Sequence, residues 1–142
     1  MESKPLFYPG FYDVPLEGLR QHLTRLLVAP FTNRKRRELL LDHLFVLLDK
    51  LMEDGNAGIL EVWIDGSFVT EKEEPGDIDI VIVHATGTHV SQELKNHDLW
   101  KEKYRCEIHY VEFGNRPLKG FYQEFFGSDR NNRPKGILRV RF

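Results

Sequence analysis

Two short stretches hold residues whose types and spacing suit work on phosphates: Gly66-Ser67, and Asp77-Ile78-Asp79 at the head of the apolar run Ile80-Val81-Ile82-Val83. Side chains alternate along an extended chain, so Asp77 and Asp79 project from one face with Cα atoms about 7 Å apart. Carboxylates so placed repel each other, and desolvation at the head of an apolar strand adds to the cost. One acid must take a proton, or a cation must sit between them. Magnesium is the natural cation because it takes carboxylate oxygens and keeps positions open for substrate phosphates, with manganese (Mn2+) as a substitute. Glycine at 66 lets the backbone approach a phosphate closely, and a serine opening a helical turn offers a hydroxyl and a free N–H. A third acid is expected on a neighbouring strand. Glu107 in Cys106-Glu107-Ile108 meets that need, with Glu112 as competitor and a solvated strand edge as the plain alternative. Three carboxylates can hold two Mg2+ ions, one activating an attacking hydroxyl and the other steadying a leaving pyrophosphate.

His109 shares a face with Glu107. It is either an aid to proton transfer or nucleotide contact, or a half-buried, hydrogen-bonded histidine. The other histidines lack metal-ligand spacing, and the single Cys106 forms no Cys-x-x-Cys pair, so neither zinc nor an internal disulfide is expected. Cys106 is expected simply to pack in the core.

The elements that must position these residues follow from periodicity. A helix is predicted from about Pro15 to Leu27, and a stronger one from about Asn33 to Glu53, whose apolar stripe includes Leu40, Leu44, Leu47 and Leu51 and whose stop is Asp54-Gly55-Asn56. Leu60–Asp65, Ile78–Val83, Arg105–Glu112 and Ile137–Phe142 read as strands, the second of them central and buried. Ser91–Glu102 reads as a weaker helix and residues 113–136 as an irregular basic segment. This order predicts α/β or α+β architecture, with helices packed on a mixed sheet.

At 142 residues and 41% hydrophobic composition the chain suffices for one domain with a substantial core. The expected division is N-terminal helices over about 15–54, a core over 60–112 and a basic C-terminal part over 113–142. A formal charge of -2 excludes a globally basic nucleic-acid binder, yet charge is uneven. Nine acids between Glu53 and Asp79 face only Lys72, whereas residues 113–142 are strongly basic. Acidic centre and basic flank, brought together, suit a cation plus a polyphosphate. The turn Asp129–Gly136 supplies Arg130 and Lys135 as nucleotide contacts if it folds back over the site. Phe121, Tyr122, Phe125 and Phe126 either stack a base or form a cluster that pins the last strand. The run Arg34–Arg37 is either a solvated helix end or a site for a phosphate or acidic partner. The start MESKPLFYPG lacks the apolar core of a signal peptide, and no apolar run approaches the roughly 18 residues of a membrane span. The expected location is the cytoplasm, with no membrane partner.

In WIDGSFVTEKEEPGDIDIVIV and CEIHYVEF, the chain resembles the DNA polymerase beta-like nucleotidyltransferase superfamily: an apolar strand, Gly-Ser, a spacer, an acid-apolar-acid triplet, then an apolar-acid-apolar strand. It looks closest to the short prokaryotic minimal domains, some of which act as antitoxins, and the closing FFGSDRNNRPKGILRV is similar to one such small, uncharacterised family. The resemblance implies a nucleotidyltransferase fold. Asp77 and Asp79 would bind both metals, Glu107 would be the third ligand and help activate the acceptor hydroxyl, and Gly66 and Ser67 would hold the triphosphate. The implied reaction moves a nucleoside monophosphate, by default AMP from ATP, to a hydroxyl of a protein, an RNA or another nucleotide. The competing expectation is a toxin-binding or regulatory module on the same fold with little turnover.

Overall fold

The computed structural model describes residues 7, 9–53, 58–72, 74–128 and 134–142. Its strands are β1 (Gly10–Asp13), β2 (Ile59–Asp65), β3 (Ile78–His84), β4 (Cys106–Glu112) and β5 (Gly136–Arg141), and its α-helices are α1 (Leu19–Leu27), α2 (Lys35–Leu51) and α3 (Arg116–Phe126). The strands form one sheet in the order β1-β5-β2-β3-β4. β1 runs parallel to β5 and β3 parallel to β4, while β2 is antiparallel to both its neighbours. The fold is therefore mixed α/β of the α+β kind.

Alternation along the strands divides the side chains between two faces. Val62, Ile64, Ile78, Ile80, Ile82, Cys106, Ile108, Leu138 and Val140 face a core shared with Leu23 and Leu27 of α1 and Leu40, Leu44, Leu47 and Leu48 of α2. Trp63, Val81, Val83, Val111 and Ile137 face the other way and pack with Phe126, Leu118 and Tyr122 of α3. β3 is thus covered on both sides, which is why its sequence is a near-continuous β-branched run.

Several boundaries differ from the sequence reading. α1 starts at Leu19 rather than near Pro15, because Gly18 sits at the cap with φ 70°, outside helical geometry. The expected helix over Ser91–Glu102 forms only in its second half: residues 92–95 are turns, and the chain is helical from His97, with a π-helical turn at Leu99–Lys103. Trp100 anchors this stretch from within the core, its Nε1–H donating to the Glu93 carbonyl at 2.9 Å. The segment read as irregular contains α3, whose cap is Asn115 accepting from the Leu118 N–H at 3.2 Å, with Pro117 in the first turn. The four-residue β1 is too short to show a period. The expected stop at Asp54-Gly55-Asn56 lies outside the described residues. None of the described helices is long and apolar enough to cross a membrane.

Candidate functional site

β2 ends where β3 begins, and their antiparallel register sets Asp65 directly opposite Asp79. On the other flank the parallel register of β3 and β4 sets Glu107 beside Asp79. Three carboxylates from three adjacent strands therefore form a row on one face, at an interstrand spacing of about 5 Å. Asp77 precedes β3 in an exposed position, and its charge still acts on Asp79. The structure thus brings Asp77, Asp79 and Glu107 to one corner of the sheet. Glu112 lies at the far end of β4, opposite His84 and exposed, with its side chain on the other face.

Gly66 joins this corner through its backbone. With φ 90° and ψ −166° it turns the chain out of β2, and a Cβ at this position would lie 2.6 Å from Oδ2 of Asp79 and 3.2 Å from its backbone nitrogen. The first motif's glycine and the second motif's carboxylate are pressed against each other. Gly66→Ala is expected to cost about 2–4 kcal/mol, because it adds a clash to a positive φ. Urea denaturation measures it; an unchanged midpoint would mean that the turn relaxes freely. Ser67 is half-buried and opens a 3-10 turn, Ser67–Val69, whose first carbonyl accepts from the Thr70 Oγ1–H at 2.7 Å.

Two bases shape the row. Lys135, buried just ahead of β5, places Nζ 3.0 Å from Oδ1 of Asp65. Lys101, exposed on the π-helical turn, contributes positive charge felt at Asp79. Burial pushes the Asp65 carboxyl up to about 7 against the opposing pull of Lys135. Burial, then the neighbouring Glu107 charge, pushes Asp79 up to about 6. Arg130 lies outside the described residues. Asp65 escaped the sequence reading because only strand register shows that it faces Asp79; the available signal was an acid ending an otherwise apolar strand.

The chain between the two motifs is held from behind by α2. Arg37, fully buried, donates to the carbonyls of Leu27 at 2.9 Å, Phe68 at 2.8 Å, Thr70 at 2.5 Å and Lys72 at 2.6 Å, and its guanidinium lies 3.5 Å from the centre of the Phe31 ring. Arg36 donates to the carbonyls of Pro75 at 2.9 Å and Gly76 at 3.1 Å, and Arg34 to those of Phe31 and Ala29. The run is therefore divided: Arg34 and Lys35 stay exposed at the helix end, whereas Arg36 and Arg37 clamp the backbone that leads from Gly66-Ser67 to Asp77.

His109 stands two residues beyond Glu107 and packs against the rings of Tyr122 and Phe126, centroids 5.2 and 5.6 Å away. Burial holds its imidazole below the ordinary histidine range. Cys106 is buried in the core, its thiol pushed up to about 12 by desolvation.

Compared with known families, the chain matches over residues 1–141 the one described as Family of unknown function (DUF6932). The chain belongs to that family. No curated protein and no solved structure matches it. In this DUF6932 chain a cleft of about 390 Å³ lies between β1 and α3 and is lined by Phe11, Gly120, Gln123 and Ile137 among others. Asp65, Asp77, Asp79 and Glu107 are not among its lining residues, which include Glu124. The chemistry of the sheet corner is that of a concentrated negative charge beside a glycine turn. Among the described residues, no three His, Cys, Asp or Glu side chains are drawn together as a ready-made metal cage.

Proposed function

We propose that this chain is a metal-dependent nucleotidyltransferase, built on the nucleotidyltransferase fold as a single domain. It would move a nucleoside monophosphate, by default AMP, from a nucleoside triphosphate to a hydroxyl of a protein or RNA acceptor. The P–O bond between the α- and β-phosphates breaks as the acceptor oxygen bonds the α-phosphorus; pyrophosphate leaves, and the acceptor proton passes to a carboxylate. The observation that carries this reading is the pairing of Asp79 with Glu107 across β3 and β4, with the Gly66 turn pressed against Asp79.

The donor set fits magnesium or manganese: hard carboxylate oxygens, with Asp79 in buried surroundings that disfavour a bare negative charge. Asp77, Asp79 and Glu107 would hold the metal, and the ion would supply positive charge to the transferring phosphoryl group and the leaving pyrophosphate. Gly66 and Ser67 would hold the triphosphate against the end of β2. Glu107 would accept the acceptor's proton.

Calorimetric titration of ATP, GTP, CTP and UTP, with and without magnesium, into the wild type and Asp77→Asn tests this without knowing the acceptor. Magnesium-dependent binding of one nucleotide, weakened at least tenfold in the variant, is expected. No binding of any nucleotide would overturn the enzyme reading and favour the toxin-binding or regulatory module.

A further inference from the structure

Asp65 lies outside the acid triplet, yet it is the most buried carboxylate of the row. Its side chain is 2% exposed and that of Lys135 10%. Lys135 Nζ lies 3.0 Å from Oδ1, and the Gly66 backbone N–H also favours the charged form, yet burial outweighs both. Burying this carboxylate is costly, and one ammonium beside it leaves the row short of positive charge, because Asp79 stands opposite Asp65 and Glu107 stands beside Asp79 one strand further on. Lys135 also acts electrostatically on Asp79, so it serves both acids of the β2–β3 pair.

We infer that the Lys135 ammonium is a resident stand-in cation beside Asp65 and Asp79, and that a divalent cation must displace it in order to bind, with Asp65 as an added oxygen donor. The inference rests on reading the carboxylate row as a cation site. A divalent ion and an ammonium a few ångströms apart repel each other, so the ion binds more favourably once the ammonium has moved away from the carboxylates. Lysine suits the exchange because its charge rides on a flexible four-carbon stem. Its backbone stays fixed, the N–H donating to the Gly127 carbonyl at 2.8 Å, so only the side chain has to move. The displaced ammonium is then free to take a triphosphate oxygen, which would couple cation loading to nucleotide capture.

Manganese alone is the probe, titrated at about pH 8 with free Mn2+ read by electron paramagnetic resonance. Lys135→Met is expected to bind at least about tenfold more tightly than the wild type, Lys135→Arg no more tightly than the wild type, and Asp79→Asn not measurably. Equal affinity of wild type and Lys135→Met, or tightening by Lys135→Arg as well, overturns the displacement while leaving the cation site standing. Binding by none of the proteins overturns the site reading and the displacement with it. Should Lys135→Met fail to fold, acetylation of Lys135 in the wild type, followed by peptide mass spectrometry, gives the same answer: manganese is expected to raise its labelling rate several-fold, and unchanged protection overturns the inference.

Discussion

Arg37→Leu is expected to lower stability by roughly 4–6 kcal/mol, enough to unfold much of the population of an ordinary domain. The guanidinium satisfies the carbonyls of Leu27, Phe68, Thr70 and Lys72, which come from the end of α1 and from the chain after Gly66. Leucine fills the volume but leaves those acceptors without donors, each at a cost of about 1–3 kcal/mol when buried. Burial already depresses the Arg37 pKa to about 10, so its charge is held against desolvation by this network. Arg37→Lys would recover only part of the loss, because one ammonium cannot span acceptors that a planar fork reaches on two sides. Arg36→Ala, which frees only the carbonyls of Pro75 and Gly76 nearer to solvent, is expected to cost less than about 1.5 kcal/mol. Urea denaturation of the three variants reads the order directly. A loss below about 1 kcal/mol for Arg37→Leu would mean that water replaces the guanidinium and that the clamp is dispensable.

That clamp also marks where the sequence stopped being legible. Local period and residue type sufficed for α2 and for four of the five strands, because Leu spacing along a helix and the β-branched run of β3 are short-range signals. Asp77, Asp79, Gly66 and Glu107 were legible as a spacing pattern, and their meeting at one corner follows once β2, β3 and β4 are neighbours. The role of Arg37 was not, since a basic run at a helix start looks the same whether its side chains face water or a loop 30 residues away. The pairing of Asp65 with Lys135 was hidden for the same reason: it depends on β5 lying beside β2, a contact between distant parts of the chain. α3 was missed by a different conflict. Its Phe and Tyr residues and Gly120 argue against helix, and only the cap at Asn115 and the spacing Leu118, Tyr122, Phe126 favour it.

Asp79→Asn should move binding and stability in opposite directions. It removes the carboxylate that faces both Asp65 and Glu107, so Mn2+ binding is expected to fall below detection. Yet the metal-free variant should be more stable than the wild type at about pH 8. Asp79 carries a raised pKa of about 6 in the folded protein against 3.8 for the free side chain. The folded state therefore binds the proton more tightly than the unfolded state. Between those values stability falls as pH rises, because the native protein must give up a proton that it holds better. Above about pH 6 the penalty is fully present, and below about pH 4 it is gone. The shift sets a ceiling of roughly 3 kcal/mol, which partial solvent access reduces to about 1–2 kcal/mol. Asparagine is neutral throughout, so the variant's advantage should appear above pH 6 and vanish near pH 4. Asp65, raised to about 7 in the same row, extends the wild type's decline towards neutrality. Saturating manganese should reverse the ranking, because it stabilises only the protein that binds it. Thermal melts at pH 4 and pH 8, with and without manganese, separate these effects. A variant less stable than the wild type at pH 8 without metal would show that Asp79 is a structural acid, and that the row stores no repulsion for a cation to relieve.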